Sequence, residues 1–122
     1  MRSAHLAEIR STLAAVWSPG SSDFASFEVE GRRDGAERWV QFLDGQLNVC
    51  WPRDDDPRNA LRTLGVALPT GFRVQFHHPG ANCVILCGDA DLDRVASVVL
   101  ALLERVEGLD RGTDLGATVV RG

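Results

Sequence analysis

Lysine is absent from this chain, and a basic stripe is absent with it. All thirteen basic residues are arginine, and seventeen acidic residues leave a net charge of −4. Domains that bind nucleic acid usually carry a basic surface, whereas the only basic cluster here, Arg32-Arg33, falls in a predicted turn. We therefore predict that nucleic acid is not a partner.

Long apolar runs are also missing. The longest run, Val98 to Leu103, has six residues, whereas a membrane span needs roughly twenty. The first seventeen residues carry His5, Glu8 and Arg10 within their apolar pattern, so they lack the unbroken core of a signal peptide. These absences predict a cytoplasmic protein that does not enter a membrane.

Cysteines are few, and their number is odd. Cys50, Cys83 and Cys87 each fall within a predicted strand, which fits reduced thiols better than a disulfide framework. Cys50 could pair with His77 or His78 as nucleophile and base, but no oxyanion-hole sequence accompanies them. The GxGxxG, Walker A and HExxH motifs are absent as well. We predict that the protein is not an enzyme and uses no cofactor.

Two clusters suggest a metal site without establishing one. His77-His78 precedes Cys83 and Cys87, but four residues along a strand separate two Cα atoms by about 13 Å. Two thiolates at that separation cannot both bind one zinc ion at about 2.3 Å. The run Asp54 to Asp56 could hold a divalent cation, but an N-cap with acidic residues at the start of a helix accounts for all three aspartates without further ligands and is favoured. We predict no metal.

The segment RWVQFLDGQLNVCWP, from Arg38 to Pro52, has the complete pattern of a β-hairpin. Asp44-Gly45 indicates a type I′ turn, because both central positions of that turn need a positive φ. Alternation about this turn places one wholly apolar set of side chains on a buried face: Val40, Phe42, Leu47, Val49 and Trp51. The opposite face is half polar and carries Trp39, Gln41, Leu43, Gln46, Asn48 and Cys50.

Helix and strand patterns alternate through the rest of the chain. Apolar spacing predicts an amphipathic helix from Ser3 to Trp17, and alternation predicts a strand from Asp23 to Glu30. A short helix begins with Asp56 as N-cap and Pro57 in its first turn. The later elements are two strands and a long helix, at Phe72–His77, Cys83–Cys87 and Leu92–Glu107.

These elements predict one α+β domain at residues 1–108, in the order α-β-β-β-α-β-β-α, with helices packed on an antiparallel sheet. Residues 109–122 have a weak pattern and are predicted as a frayed C-terminal tail, with an edge strand at Val119-Val120 as the alternative. The predicted core consists of the apolar side of each element: Leu6, Ile9, Leu13, Phe27, Val29, Val40, Phe42, Leu47, Val49, Ile85, Val95, Val99 and Leu103.

Surplus apolar surface points to protein partners. Trp39 and Leu43 lie on the polar face of the hairpin, where either another element covers them or they form an exposed patch. The apolar side of the last helix spans an arc of about 200°, with Val98 and Leu102 at its margin, although a helix on one sheet needs little more than about 100°. We predict a homodimer that binds a client protein, with these four residues at the contacts.

The order of elements from Ser3 to Gly108 resembles the class I type III secretion chaperone fold. RWVQF (Arg38 to Phe42) and LRTLGVALPTGF (Leu61 to Phe72) are similar to segments of the bacterial type III secretion chaperone-like group, TY-Chap type. The resemblance implies a cytoplasmic homodimer without catalysis that holds an extended segment of a client protein. The alternative is a small-molecule-binding protein or small enzyme on a similar scaffold, with a closed cavity lined by His77 and Cys83.

Overall fold

The structure is a computed structural model that describes residues 2–30, 37–110 and 112–122. The predicted turn at Gly31–Gly35, with Arg32-Arg33, lies outside the described residues. Within these ranges no helix combines the length and the apolar character that crossing a membrane requires. The elements are α1 (Arg2–Ala14), β1 (Phe24–Val29), β2 (Trp39–Leu43), β3 (Gln46–Cys50), α2 (Pro57–Thr63), β4 (Arg73–His78), β5 (Asn82–Leu86), α3 (Leu92–Arg105) and β6 (Leu115–Val120).

Six antiparallel strands form one sheet, in the order β4-β5-β3-β2-β1-β6. The predicted α+β class and the predicted order of elements are confirmed. The hairpin of β2 and β3 has the predicted register, with Val40 opposite Val49 and Phe42 opposite Leu47. Its turn residues, Asp44 and Gly45, have φ values of 43° and 79°, as a type I′ turn requires.

The C-terminal segment is not a frayed tail. Leu115–Val120 pairs along its whole length with β1, from Phe24 opposite Val120 to Val29 opposite Leu115. The preferred interpretation as a tail was wrong, whereas the alternative of an edge strand at Val119-Val120 is confirmed in a longer form. Sequence alone favoured the tail because a strand is stabilised by the neighbour with which it pairs, and that neighbour lies far away in sequence. The domain therefore extends beyond residue 108, and β6 forms one edge of the sheet.

All three helices contribute to a core on one face of the sheet. α1 and α3 pack against each other, α3 lies over β2, and α1 lies over β1 and β6. α2 adds Ala60 and Leu61 to the same core, beside the fully buried Trp51. Every residue of the predicted core is buried except Leu6, which is partly buried against it.

The caps of α2 and α3 follow from local sequence. The carboxylate Oδ1 of Asp56 accepts a hydrogen bond from the backbone N–H of Arg58 at 2.9 Å, which confirms the predicted N-cap. Asp91 caps α3 in the same way. Gly108, at φ 86°, then reverses the chain after α3, as left-handed residues commonly do at helix ends.

The wide apolar arc of α3 is covered within the chain. α1 packs on one side of α3, and the segment 64–72 contributes the buried Val66 and Phe72 to the same core. Val98 is 3% exposed and Leu102 is 0% exposed. The prediction that these two residues form surplus surface for a partner is therefore wrong, because the connection between α2 and β4 also supplies apolar side chains to the core.

Strand β4 departs from simple alternation. A bulge lies between Val74 and Phe76, so that Val74 opposes Ile85 while Phe76 opposes Val84. Val74 therefore packs against the core, whereas Phe76 lies on the other face and is 41% exposed. Simple alternation along the predicted strand Phe72–His77 would put both side chains on one face, because alternation alone gives no sign of an inserted residue.

Candidate functional site

The sheet face that carries no described helix is the candidate functional surface, and we call it the open face. It is formed by the even-numbered residues of β1, β3, β5 and β6, the odd-numbered residues of β2, and Arg73, Phe76 and His78 of β4. Strand β2 shows the alternation clearly, since Val40 and Phe42 are buried whereas Leu43 is 43% exposed.

Strand pairing arranges these side chains in three rows that cross the sheet. The register places neighbours of one row directly opposite each other on adjacent strands, where their side chains touch. The first row is mainly apolar: Val120, Phe24, Leu43, Gln46, Leu86 and Arg73. The second row is polar in its centre: Thr118, Ser26, Gln41, Asn48, Val84 and Phe76. The third row is mixed: Gly116, Glu28, Trp39, Cys50, Asn82 and His78.

Among the described residues, the large apolar side chains that remain exposed lie on this face. Leu43, Phe76 and Val120 are exposed by 43%, 41% and 37%, and they stand on three different strands. Scattered apolar residues are ordinary on a protein surface, but here the first row joins two of them through Phe24. The pattern is that of a binding surface rather than of isolated exposure.

A groove of about 240 Å³ lies where the first two rows meet in the middle of the open face. Three of its lining residues are apolar, three carry side-chain amides, and none is charged. The lining residues are Phe24, Gln41, Leu43, Gln46, Asn48 and Val84. The charged groups of the open face, such as Glu28 and Arg73, stand in the outer parts of the rows.

Side-chain amides provide the hydrogen-bonding groups of the open face. The Nδ2 of Asn82 donates to Oδ1 of Asn48 at 2.8 Å, and the Nε2 of Gln41 donates to Oγ of Ser26 at 3.5 Å. An amide side chain has two N–H donors and an oxygen with two lone pairs. Each of these groups therefore retains hydrogen-bonding capacity for a ligand that approaches the sheet.

Trp39 and Leu43 both lie on the open face, as the hairpin register predicts. Leu43 is exposed, and Trp39 is half-buried. The helix α2, one of the elements that could have covered them, lies with the core on the other side of the sheet. Their role in binding a partner stays a prediction, whereas Val98 and Leu102 are inside the domain.

The three cysteines are protonated thiols in a buried setting. Burial raises the pKa of Cys83 and of Cys87 to about 12. Burial also raises the pKa of Cys50, with the Glu107 carboxylate acting in the same direction, and its Sγ donates to the backbone oxygen of Glu37 at 3.3 Å. Because the thiolate is the reactive form of cysteine, these residues are poor nucleophiles at neutral pH.

We expect all three thiols of the native protein to react slowly with a disulfide reagent at neutral pH. The folded protein holds the protons of these thiols more tightly than the unfolded chain does, because their pKa values are raised. The free energy of unfolding is therefore unaffected below the ordinary pKa of cysteine and falls as the pH rises from there towards 12. Absorbance of the released chromophore measures the rate, and the denatured protein should release three equivalents. Rapid modification of one thiol in the native state would contradict this assignment.

The histidines and aspartates singled out in the sequence are held apart. His77 opposes Cys83 and His78 opposes Asn82, so the two histidines lie on opposite faces of the sheet. Asp55 forms an ion pair with Arg53 at 2.6 Å, and the side-chain hydrogen bond from Arg53 lowers the pKa of Asp55. Within the described residues, no three His, Cys, Asp or Glu side chains form a group that could hold a metal ion.

Sequence reasoning found only the hairpin part of the open face. Phe76 was missed because of the bulge. Val120 appeared only in the alternative interpretation, because a frayed tail was preferred to an edge strand at Val119-Val120. The signal for β6 was available in LGATVV, an uncharged segment rich in β-branched residues and bounded by Asp114 and Arg121, which is typical of a strand.

Comparison with known proteins identifies no relative of this chain. The chain matches none of the protein-family models, curated proteins or solved structures with which it was compared. Function is therefore inferred from the open face and its groove.

Proposed function

We propose that this protein is a non-catalytic, chaperone-like module that holds an extended segment of a client protein on its open face. The observation that carries the proposal is the uncharged groove, which coincides with the exposed apolar row on an uncovered sheet. The resemblance of the element order to type III secretion chaperone-like proteins agrees with such a role. It also leads us to propose that the protein acts in the cytoplasm.

The dimensions of the open face suit a short extended segment. Six strands spaced by about 4.8 Å place the outer strands about 24 Å apart. An extended chain that rises about 3.3 Å per residue crosses this distance with roughly seven residues. Alternate side chains of such a segment can contact the first row, while its main chain meets the amides of Gln41, Asn48 and Asn82.

The expected affinity is modest. About two-fifths of each of Leu43, Phe76 and Val120 is exposed, so completing their burial contributes about 1 kcal/mol per side chain. Amide hydrogen bonds add about 0.5 to 1.5 kcal/mol each, and the loss of translational and rotational freedom offsets part of the total. These contributions together stay below the roughly 8.2 kcal/mol that micromolar affinity requires, so we expect a dissociation constant between about 100 µM and 1 mM, which permits both holding and release of a client.

The alternative function, a small-molecule binder or enzyme, has less support. Its predicted cavity would be lined by His77 and Cys83, but neither residue lines the groove on the open face. The groove, at about 240 Å³, is also smaller than the roughly 300 to 1,000 Å³ of most small-molecule sites. Finally, the raised pKa of Cys83 leaves no thiolate for nucleophilic chemistry at neutral pH.

Binding of short peptides tests the proposal. Seven- to twelve-residue peptides selected by display on the wild-type protein should lose at least about tenfold in affinity for Leu43→Asp and for Phe76→Asp, since a charge opposes burial in the rows. Tenfold corresponds to about 1.4 kcal/mol. Calorimetry measures the affinity, and Ala7→Asp, an equally simple change on the exposed side of α1, is the control.

Two results would contradict the proposal. One is a failure of the wild-type protein to select any peptide. The other is equal binding of the selected peptides to the wild type, Leu43→Asp and Phe76→Asp, which would place the contact elsewhere on the molecule. Backbone amide shifts on peptide addition, mapped by NMR, would then show where the peptide lies.

A further inference from the structure

The two edges of the sheet have different chemistry. The edge strand β4 carries Arg73, His77 and His78, and the bulge after Val74 interrupts it. Charges and bulges are the devices with which proteins prevent a sheet edge from pairing with another chain. The other edge strand, β6, has no charged residue and no proline, and its register with β1 is unbroken. Of the two edges, β6 is the one suited to pairing.

The phase of hydrogen bonding shows which main-chain groups of β6 face outward. The backbone N–H of Glu30 donates to the backbone oxygen of Asp114 at 3.0 Å, in register with the β1–β6 ladder. In an antiparallel ladder every second pair exchanges its hydrogen bonds. Gly116, Thr118 and Val120 therefore bond to β1, and the intervening residues direct their N–H and C=O groups away from it. These outward residues are Leu115, Ala117 and Val119.

The outward triplet is nearly symmetric about its centre. An antiparallel two-fold axis at Ala117 places this small residue opposite its own copy and places Leu115 opposite Val119 of the second copy. Each of these pairs exchanges two main-chain hydrogen bonds. The side chains of Leu115, Ala117 and Val119 are partly buried on the helix side of the sheet, so the pairing extends the core across the axis. An isologous contact of this kind uses the same surface on both subunits.

We propose that β6 pairs with β6 of a second copy of this chain about a two-fold axis at Ala117. The product is a homodimer in which two six-stranded sheets become one continuous sheet. Because residues directly opposite each other share a face of the sheet, the helices of both copies lie on one side and the two open faces lie on the other. Association ends at the dimer, since the protected β4 edges at the two ends do not pair. This inference does not rest on client binding.

A proline at the axis tests the pairing. The outward N–H of Ala117 is not used by the β1–β6 ladder. Ala117→Pro therefore removes both hydrogen bonds of the central pair, one from each copy, while leaving that ladder intact, as proline on edge strands does. In sedimentation equilibrium at micromolar protein, we expect a wild-type dimer and at least a tenfold weaker dimer for Ala117→Pro. Thr118→Ala, on the open-face side of the same strand, is the control and should dimerise as the wild type does.

A cross-link keeps the test decisive if the proline variant does not fold. In the proposed register, Ala117→Cys brings two Cα atoms to about 5.5 Å, within the range of about 4.4 to 6.8 Å that a disulfide needs. In Val119→Cys, the Cα atoms of residue 119 in the two copies are roughly 14 Å apart, too far for a disulfide. Mild oxidation should therefore link the first variant and not the second. The native thiols are buried and should not react.

Clear results would overturn the pairing. A wild-type protein that is monomeric in sedimentation equilibrium would contradict the pairing. The same holds if the β6 edge of that monomer binds an extended peptide instead of a second copy. The pairing would also be contradicted if Ala117→Pro dimerised as tightly as the wild type, or if oxidation linked Val119→Cys and not Ala117→Cys. Loss of peptide binding by Leu43→Asp with an intact dimer would affect only the proposed function.

Discussion

Replacing Leu102 by aspartate is expected to abolish folding. Leu102 is 0% exposed and lies within the core on α3. An isolated carboxylate in that position costs several kcal/mol of desolvation, and the burial of the leucine side chain, worth about 1.5 to 3 kcal/mol, is lost as well. Domains of this size are stable by about 5 to 15 kcal/mol. Circular dichroism on heating should show no cooperative transition for Leu102→Asp.

The same substitution at Leu43 is the matched control. Leu43 is 43% exposed on the open face, so its charge can remain in water, and we expect the free energy of unfolding to change by at most about 1 kcal/mol. A folded Leu102→Asp protein that differs from the wild type only in its oligomeric state would contradict the burial of Leu102. It would place that residue at an interface between subunits instead.

Replacing Phe42 by alanine is expected to lower the free energy of unfolding by about 3 to 5 kcal/mol. Phe42 is 4% exposed on the helix side of β2. Its ring is stacked on that of Trp17, with centroids 5.1 Å apart and planes inclined by 9°. The substitution removes this contact and leaves a cavity between the sheet and the segment after α1. Chemical denaturation measures the loss.

The corresponding heat denaturation should show a midpoint roughly 10 to 20 °C below that of the wild type. Leu43→Ala, on the same strand but on the open face, is the control. It should lose only about 1 kcal/mol, because Leu43 keeps 43% of its surface exposed in the folded protein and contributes correspondingly less through burial. A loss below about 1 kcal/mol for Phe42→Ala, together with a large loss for Leu43→Ala, would mean that the two faces of the hairpin are exchanged.

The two proposals use different parts of the same sheet, which makes them separable. The open face depends on side chains such as Leu43 and Phe76, whereas the β6 edge depends on main-chain groups at Ala117. In the proposed dimer the two open faces are continuous across the axis, so a client segment could contact both copies. A peptide that binds the wild type more tightly than Ala117→Pro would then report that both copies take part.

Local sequence determined the hairpin, the helix caps and most of the core. Asp44-Gly45 specifies a turn with positive φ at both positions, and alternation on either side of it sets the register. Asp56 and Asp91 cap their helices through hydrogen bonds to residues two and three positions later. These features depend on neighbours in the chain, which is why they can be read without knowing the tertiary structure.

Tertiary structure decided the features on which function rests. Leu115–Val120 became a strand because β1 offered a partner, and Val98 became buried because the segment 64–72 contributes to the core beside α3. The bulge that turns Phe76 outward and the packing of every described helix on one face depend on contacts between elements distant in sequence. Periodicity shows that an element has an apolar side, but only packing determines which surface covers it and which surface stays open.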